Sequence, residues 1–223
     1  MATDGRAHEA SLPTLELHPL TPERWADFEA LFGDKGGHGG CWCMWWRVAN
    51  KAYDAGAGNK AAFRHLVEEG TPSGTPVGLL GYDNGLPVGW ISLGPRADYG
   101  RFPTMTSVKF RAVDETPVWS IVCFFVTAQR RRQGIARAML SGAIEWARGE
   151  GVDMLEAYPV GDAVKPSAAT LFMGSEALYR DAGFVEVARH HPDRPIVRLT
   201  LRPATGQDVH LPGGSRPWQH PPS

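Results

Sequence analysis

The stretch from Val118 to Gly151 limits the possible folds more than any other part of this chain. Val118–Val126 is an apolar run rich in β-branched and aromatic residues, the pattern of a buried strand. After it, Ile135, Ala138, Met139, Ala143, Trp146 and Ala147 recur at three- and four-residue spacing, while Arg137, Ser141, Glu145 and Arg148 take the other face. That pattern predicts an amphipathic helix running to about Glu150 and closed by Gly151. Between the two lies Thr127-Ala128-Gln129-Arg130-Arg131-Arg132-Gln133-Gly134. Three arginines thus crowd the start of a helix, where free N–H groups already make the end positive and each cation is disfavoured by roughly 0.3–1 kcal/mol. An anion at the junction would reverse that sign, because backbone N–H groups and guanidiniums would both point at it. Gly134 and Ala136 leave room for its close approach. The alternative is a solvated basic turn ahead of an ordinary helix.

Neither Gly-x-Gly-x-x-Gly nor Gly-Lys-Ser/Thr occurs here, so the common dinucleotide and triphosphate loops do not apply. The spacing Arg131-x-x-Gly134-x-Ala136 instead resembles the pyrophosphate-binding motif of the GNAT family of N-acetyltransferases, Gln/Arg-x-x-Gly-x-Gly/Ala. A second matching segment, Ala177-Leu178-Tyr179-Arg180-Asp181-Ala182-Gly183-Phe184, lies downstream where that family has it.

The rest of the chain suits the same reading. Leu15 and Leu17 begin a short edge strand. Thr21-Pro22-Glu23 is a helix entry with Thr21 as cap, and Trp25, Phe28, Leu31 and Phe32 form the apolar face of a helix stopping near Gly33. A second helix is expected over Asn59–Glu69. Strands are expected over Val77–Tyr82 and Val88–Leu93, joined by the hairpin turn Asp83-Asn84-Gly85. Pro95–Thr116 is irregular and covers one end of the sheet. Asp153–Val160 reads as a strand parallel to Val118–Val126, because a helix connects them. Ala168–Ala182 reads as a helix, and Phe184–Ala188 and Ile196–Leu201 as a closing antiparallel pair. The expected fold class is α/β (α+β): a mixed, mostly antiparallel sheet with one splayed parallel pair and helices on both faces. Residues 1–13 form a loose leader, 14–202 the domain, and 203–223 a Pro/Gly-rich tail.

Composition narrows the function. A formal net charge of −1 gives no global argument for nucleic acid or an anionic membrane. No apolar run approaches the roughly 20 residues that span a bilayer, and the polar N-terminus lacks a signal-peptide core. The three cysteines make no disulfide framework: Cys41 and Cys43 are too close for an unstrained bridge, and Cys123 lies in an apolar strand. A reducing, cytoplasmic setting follows. His38, Cys41 and Cys43 lack a second Cys/His pair at ligand spacing, so no metal is expected.

The resemblance implies acetyl-CoA as co-substrate, its pantetheine arm in the splay between the two parallel strands and bonded to main chain near Phe125, Val126 and Thr127. Its pyrophosphate would sit on the amides of Arg131, Arg132, Gln133, Gly134, Ile135 and Ala136, with the Arg130 or Arg132 side chain reaching phosphate. Tyr179 matches the tyrosine that many members place near the coenzyme sulfur. A phenol, with a pKa of about 10, can hydrogen-bond or protonate a departing thiolate, whose thiol has a pKa of about 8.5. Without that setting Tyr179 reads as a half-buried helix residue. Glu156, on the strand flanking the gap, is the candidate base for the amine, with the alternative that it faces solvent; Asp162 and His38 are weaker options. The Gly-rich segment carrying Cys41, Trp42, Trp45 and Trp46 is expected to wall an acceptor pocket, or else to cap the core. Cys123 is a small core residue without a neighbouring base, which favours direct transfer in a ternary complex over an acyl-cysteine.

The function so read is acetyl transfer to the primary amine of a small molecule, with no nucleic acid or membrane partner and a homodimer left open. The alternative is a non-catalytic acyl-CoA-binding sensor or interaction module, which would keep the phosphate motif but have no use for Tyr179.

Overall fold

The computed structural model describes residues 12–165 and 171–202. The expected tail, and the leader apart from Leu12 and Pro13, lie outside them. In chain order the elements are β1 (Glu16–Pro19), α1 (Trp25–Phe32), α2 (Ala57–Glu69), β2 (Leu79–Asp83), β3 (Leu86–Pro95), β4 (Trp119–Val126), α3 (Ile135–Gly149), β5 (Met154–Ala157), α4 (Glu176–Asp181), β6 (Val185–His191) and β7 (Arg194–Thr200). The strands form one seven-stranded sheet in the order β1-β2-β3-β4-β5-β7-β6. Its pairs are antiparallel except β4–β5. The sheet therefore has the mixed, mostly antiparallel form expected from the sequence.

Each face of the sheet buries its own core. Trp25, Phe28 and Phe32 of α1 and Phe63 of α2 pack with Trp42, Trp90, Cys123 and Tyr158 on one side. Ile135, Met139, Ala143 and Ala147 of α3 pack with Leu79, Ile91, Ile121 and Phe124 on the other, joined by Tyr179 and Phe184. The three/four spacing read in α3 is thus its buried stripe. The hairpin turn is also as its residues require, with Asn84 at φ +50° and Gly85 at φ +76°.

Two local features open the sheet. Ser92 faces Cys123 and Leu93 faces Ile121, so Val122 is an extra residue that bulges β4. β5 is shorter than the expected 153–160. It pairs with β4 only through Trp119–Leu155, Ser120–Glu156 and Ile121–Ala157. Pro159 has no N–H to extend the ladder, and Val160 instead bridges to Ser175. Beyond Ile121, then, β4 has lost its β5 neighbour.

Three expectations need correction. The helix predicted over 168–182 is broken: residues 168–170 lie outside the described set, Leu171–Met173 is a 3-10 turn, and α4 starts only at Glu176. Gly174, at φ +80°, makes the break. Any Cβ there would come within 2.8 Å of the Tyr179 ring. Ser175 then caps α4, its hydroxyl accepting the Leu178 N–H at 3.3 Å. Thr21 does not cap with its side chain; α1 is entered through a 3-10 turn, Pro22–Arg24, whose last N–H is taken by the Thr21 carbonyl at 3.0 Å. Helix α2 begins at Ala57, two residues before the predicted start, with Gly56 at φ +85° as its cap.

Candidate active site

The open side of β4 leads into a cleft of about 770 Å3. Its walls are the end of β4 (Phe124–Val126), the turn and first residues of α3, and the segment from Leu171 to Asp181. Gly37 and His38 close one side. Residues that the sequence separates by over a hundred positions therefore meet where the parallel pair splays.

The floor is the start of α3. Gly134 is its N-cap at φ +80°, where a residue with a Cβ is strained, and no side chain caps the helix. Among the described residues no backbone carbonyl takes the amides of Arg132, Gln133 or Gly134. Arg132 is itself left-handed, at φ +61°. The turn thus presents unclaimed N–H groups toward the cleft, the arrangement that binds phosphate. The structure separates the arginines. Arg130 is ion-paired with Asp83 in the β2–β3 turn. Arg131 donates Nε to the Val126 carbonyl at 3.2 Å, and Arg132 is exposed with no ion pair among the described residues. Gln133 reaches back to the Gln129 carbonyl at 2.9 Å. Ile135 is buried beneath the turn and Ala136 lines the cleft. Of the main-chain groups expected to meet the pantetheine arm, the Thr127 N–H is already given to Val88 at 3.3 Å and the Val126 carbonyl to Arg131.

Tyr179 lies in the first turn of α4, fully buried against Phe124 and Phe184, with centroids 6.2 and 5.0 Å away. Its hydroxyl finds no hydrogen-bond partner among the described residues. Burial, and then the neighbouring Cys123, push the phenol well above its usual range. It stays protonated, a donor without an acceptor. Such groups are costly and uncommon in native cores.

Glu156 sits elsewhere in the chemistry. It is 1% exposed, so the solvated alternative does not hold. One carboxylate oxygen takes Arg96 at 2.8 Å and the Tyr158 hydroxyl, and the other takes Arg198 at 2.8 Å. Arg198 also grips Asp114 through two nitrogens at 2.7 and 2.9 Å. With both oxygens committed, Glu156 ties β5 to β7 and to the loop after β3. Asp162 is paired with Arg180 at 2.9 Å. His38, the remaining option, is exposed on the cleft wall.

The tryptophan segment packs as a structural layer. Trp42 is 3% exposed, stacked on Phe32 at 5.9 Å and capped by Lys60 at 5.0 Å. Trp46 is equally buried and stacks on Phe102 at 4.9 Å. Trp45 lies at the surface under the Arg101 guanidinium, 4.1 Å away. Cys41 is half-buried, and burial pushes its thiol up. None of the four lines the cleft. What this segment does give the cleft is His38, carried on a loop whose Gly36, Gly37, Gly39 and Gly40 all have positive φ. Asn59 pins that loop to α2 through the Gly40 carbonyl at 3.2 Å.

The residues present fit a coenzyme A thioester. Unclaimed amides and free guanidinium nitrogens suit a pyrophosphate, the unpaired edge of β4 suits an amide-bearing arm, and the orphan phenol suits a sulfur. Among the described residues no cluster of His, Cys, Asp and Glu could hold a metal, and no helix is long and apolar enough to cross a membrane.

Comparison with known proteins bears on the same residues. No curated protein matches the sequence. Among solved structures, YncA of Salmonella typhimurium, solved with its cofactor acetyl-CoA, is 16% identical with a TM-score of 0.51, covering 88% of this chain and 99% of that one. The ribosomal-protein-alanine N-acetyltransferase of Brucella melitensis is 20% identical with a TM-score of 0.49, covering 83% and 99%. At these identities the likeness is one of fold. The sequence itself matches the acetyltransferase (GNAT) family over residues 23–184, from the helical turn before α1 to the end of the Tyr179 segment. The match spans well over half of the chain and includes both motifs, so the protein belongs to the acetyltransferase (GNAT) family and is an acyltransferase with acetyl-CoA as its co-substrate.

Proposed function

We propose that the protein transfers an acetyl group to the primary amine of a small molecule, directly and within a ternary complex. The observation that carries this reading is the buried Tyr179 hydroxyl, unpartnered among the described residues, on a ring that packs behind Phe124 of the cleft wall. Acetyl-CoA supplies an acyl group already activated as a thioester. The amides of Arg132–Ala136 and the side chains of Arg131 and Arg132 would hold its pyrophosphate, and the β4 edge near Phe125 its arm. Tyr179 would donate its proton, or a hydrogen bond, to the sulfur as the thiol departs. An alkylammonium of pKa near 10.4 must first lose a proton. His38 is the group on the cleft wall whose ring nitrogen would take it.

A small acceptor is favoured by the charge of the cleft. Its lining carries Arg130, Arg131, Arg132 and Arg137 against Asp181 alone, and Asp181 is paired with Arg137 at 2.7 Å. A basic peptide would find no unpaired carboxylate on that lining to hold it. Purified protein with acetyl-CoA and a panel of small primary amines should release thiol and give acetylated product. Binding of acetyl-CoA without turnover on any amine would favour the non-catalytic reading, and turnover confined to peptide N-termini would overturn the small acceptor.

A further inference from the structure

A second cavity, of about 1000 Å3, lies outside the cleft and shares no lining residue with it. Its roof is the irregular segment between β3 and β4, and its floor is the first residues of β4 and β5, Trp119 and Met154, with the turn that leads into β5. The cleft lies at the other end of β4, at Phe124–Val126. That strand is eight residues long, so at about 3.3 Å per residue its two ends are roughly 23 Å apart. The roof is fixed by the protein's own bonds. Arg96 donates to the Phe110 carbonyl at 2.7 Å and to Glu156 at 2.8 Å. Its backbone N–H goes to the Val118 carbonyl at 3.0 Å, which closes the base of the segment. Asp114 is gripped by two nitrogens of Arg198. The arch therefore stands without a ligand, and the space beneath it matches sites that take small molecules, about 300–1000 Å3.

The lining has two parts. Met105, Val108 and Met154 give it apolar surface, and Phe102, Phe110 and Trp119 give it rings. Its charged side chains are Arg96, Arg111, Asp114, Glu115 and Asp153. Arg96 is matched by Glu156, and Asp114 by Arg198. The other three form no ion pair among the described residues. Two of them, Glu115 and Asp153, are carboxylates, set against the single cation of Arg111. The cavity thus carries one negative charge in excess beside its aromatic surface. The cleft has the opposite sign, with Arg130, Arg131, Arg132 and Arg137 against Asp181.

We propose that this cavity binds a small organic monocation, an aryl- or alkylammonium, with its apolar body among the rings and its ammonium toward Asp153 and Glu115. An anion would meet the excess negative charge, and a neutral apolar molecule would leave both carboxylates without a partner. An ammonium suits both parts of the lining, because the face of an aromatic ring also attracts a cation. A molecule held there lies at the far end of β4 from the cleft, so it is a second ligand and not the amine being acetylated. It would brace the paired end of β4 and β5, from which the splay opens. Any change in turnover rests on the function proposed above; the binding itself does not.

The test is NMR of the full-length protein without acetyl-CoA, following the Trp119 indole N–H, which is identified by its loss in Trp119→Phe. Titration with phenethylamine should move that signal saturably. Phenethyl alcohol and phenylacetate keep the ring and change the head group, and each should bind more weakly by about fivefold or more. Asp153→Asn combined with Glu115→Gln, both at exposed positions, should weaken the amine by about the same factor, and Arg111→Ala should tighten it. Saturating coenzyme A, and Gly134→Glu in the cleft, should leave the titration as it was. An unmoved Trp119 signal, equal affinity for the alcohol, tighter binding of phenylacetate, or displacement by coenzyme A would each overturn the inference. No acyl donor is present, so failure of the proposed transfer leaves this readout untouched, and the two can be told apart.

Discussion

Replacing Tyr179 by phenylalanine should separate two effects that usually move together. The hydroxyl is buried and meets no acceptor among the described residues. Keeping a hydroxyl in such a place costs on the order of 1–3 kcal/mol. Phenylalanine keeps the ring contacts with Phe124 and Phe184 and removes only the unpaired group, leaving a small void. The net expectation is a gain of about 1 kcal/mol, or about 2–4 °C in Tm for a domain of this size. Turnover should move the other way, by on the order of 10²–10³, because a positioned proton donor is lost. Acetyl-CoA affinity should change little, since the pyrophosphate turn is untouched. The phenol is held well above its usual range, so it is protonated across neutral pH and does not set the alkaline limb of the wild-type rate profile. Thermal denaturation without ligand and a thiol-release assay measure the two quantities on one preparation. A variant that loses more than about 1 kcal/mol while keeping wild-type turnover would refute both the orphan hydroxyl and its proposed chemistry.

The remaining expectations concern other parts of the cleft and its frame. Gly134→Glu puts a side chain on a left-handed residue 3.1 Å from Pro13, at a cost of about 1–2 kcal/mol; calorimetry should find acetyl-CoA binding abolished in a protein that still melts cooperatively. His38→Ala, at an exposed position, should alter stability by less than about 0.5 kcal/mol yet lower turnover on the order of 10²-fold; unchanged turnover would assign the amine proton elsewhere. Glu156→Ala should cost about 3–5 kcal/mol in urea denaturation, because it strands Arg96 and Arg198 inside the protein; a selective loss of turnover at unchanged stability would restore it as a base. Asp114 is held below the usual carboxylate range by the two-pronged Arg198 bond and by Thr116. Its contribution is therefore present above about pH 4 and is lost as pH falls toward its folded value. Asp114→Asn should lower stability near neutrality and converge with the wild type at acid pH, so that the acid limb of the stability curve flattens; equal stabilities at neutral pH would refute the contribution.

The sequence alone determined what rests on local chemistry. The period of α3, the Asn84–Gly85 turn and the glycine at the start of α3 could be read because helix phase, left-handed φ and close approach are properties of a few adjacent residues. The Arg131-to-Ala136 spacing lies on one turn, so the turn that floors the cleft was legible in the same way. Helix 168–182 was misread because Gly174 is placed by its fit against the Tyr179 ring, a contact between side chain and backbone that periodicity does not encode.

Only the tertiary structure decided what depends on distant partners. Glu156 became a two-arginine anchor because β7 brings Arg198 and the loop after β3 brings Arg96. Trp42 and Trp46 went into the core because α1 and the 3-10 turn at Phe102 offer rings to stack on, and burial of aromatic area outweighs any use at a surface wall. His38 reached the cleft through a glycine-rich loop whose path is set by what it packs against, since glycine itself prefers no one path. The arginines were equal in sequence and became unequal in space, where Asp83 claims Arg130 and leaves Arg132 facing the cleft.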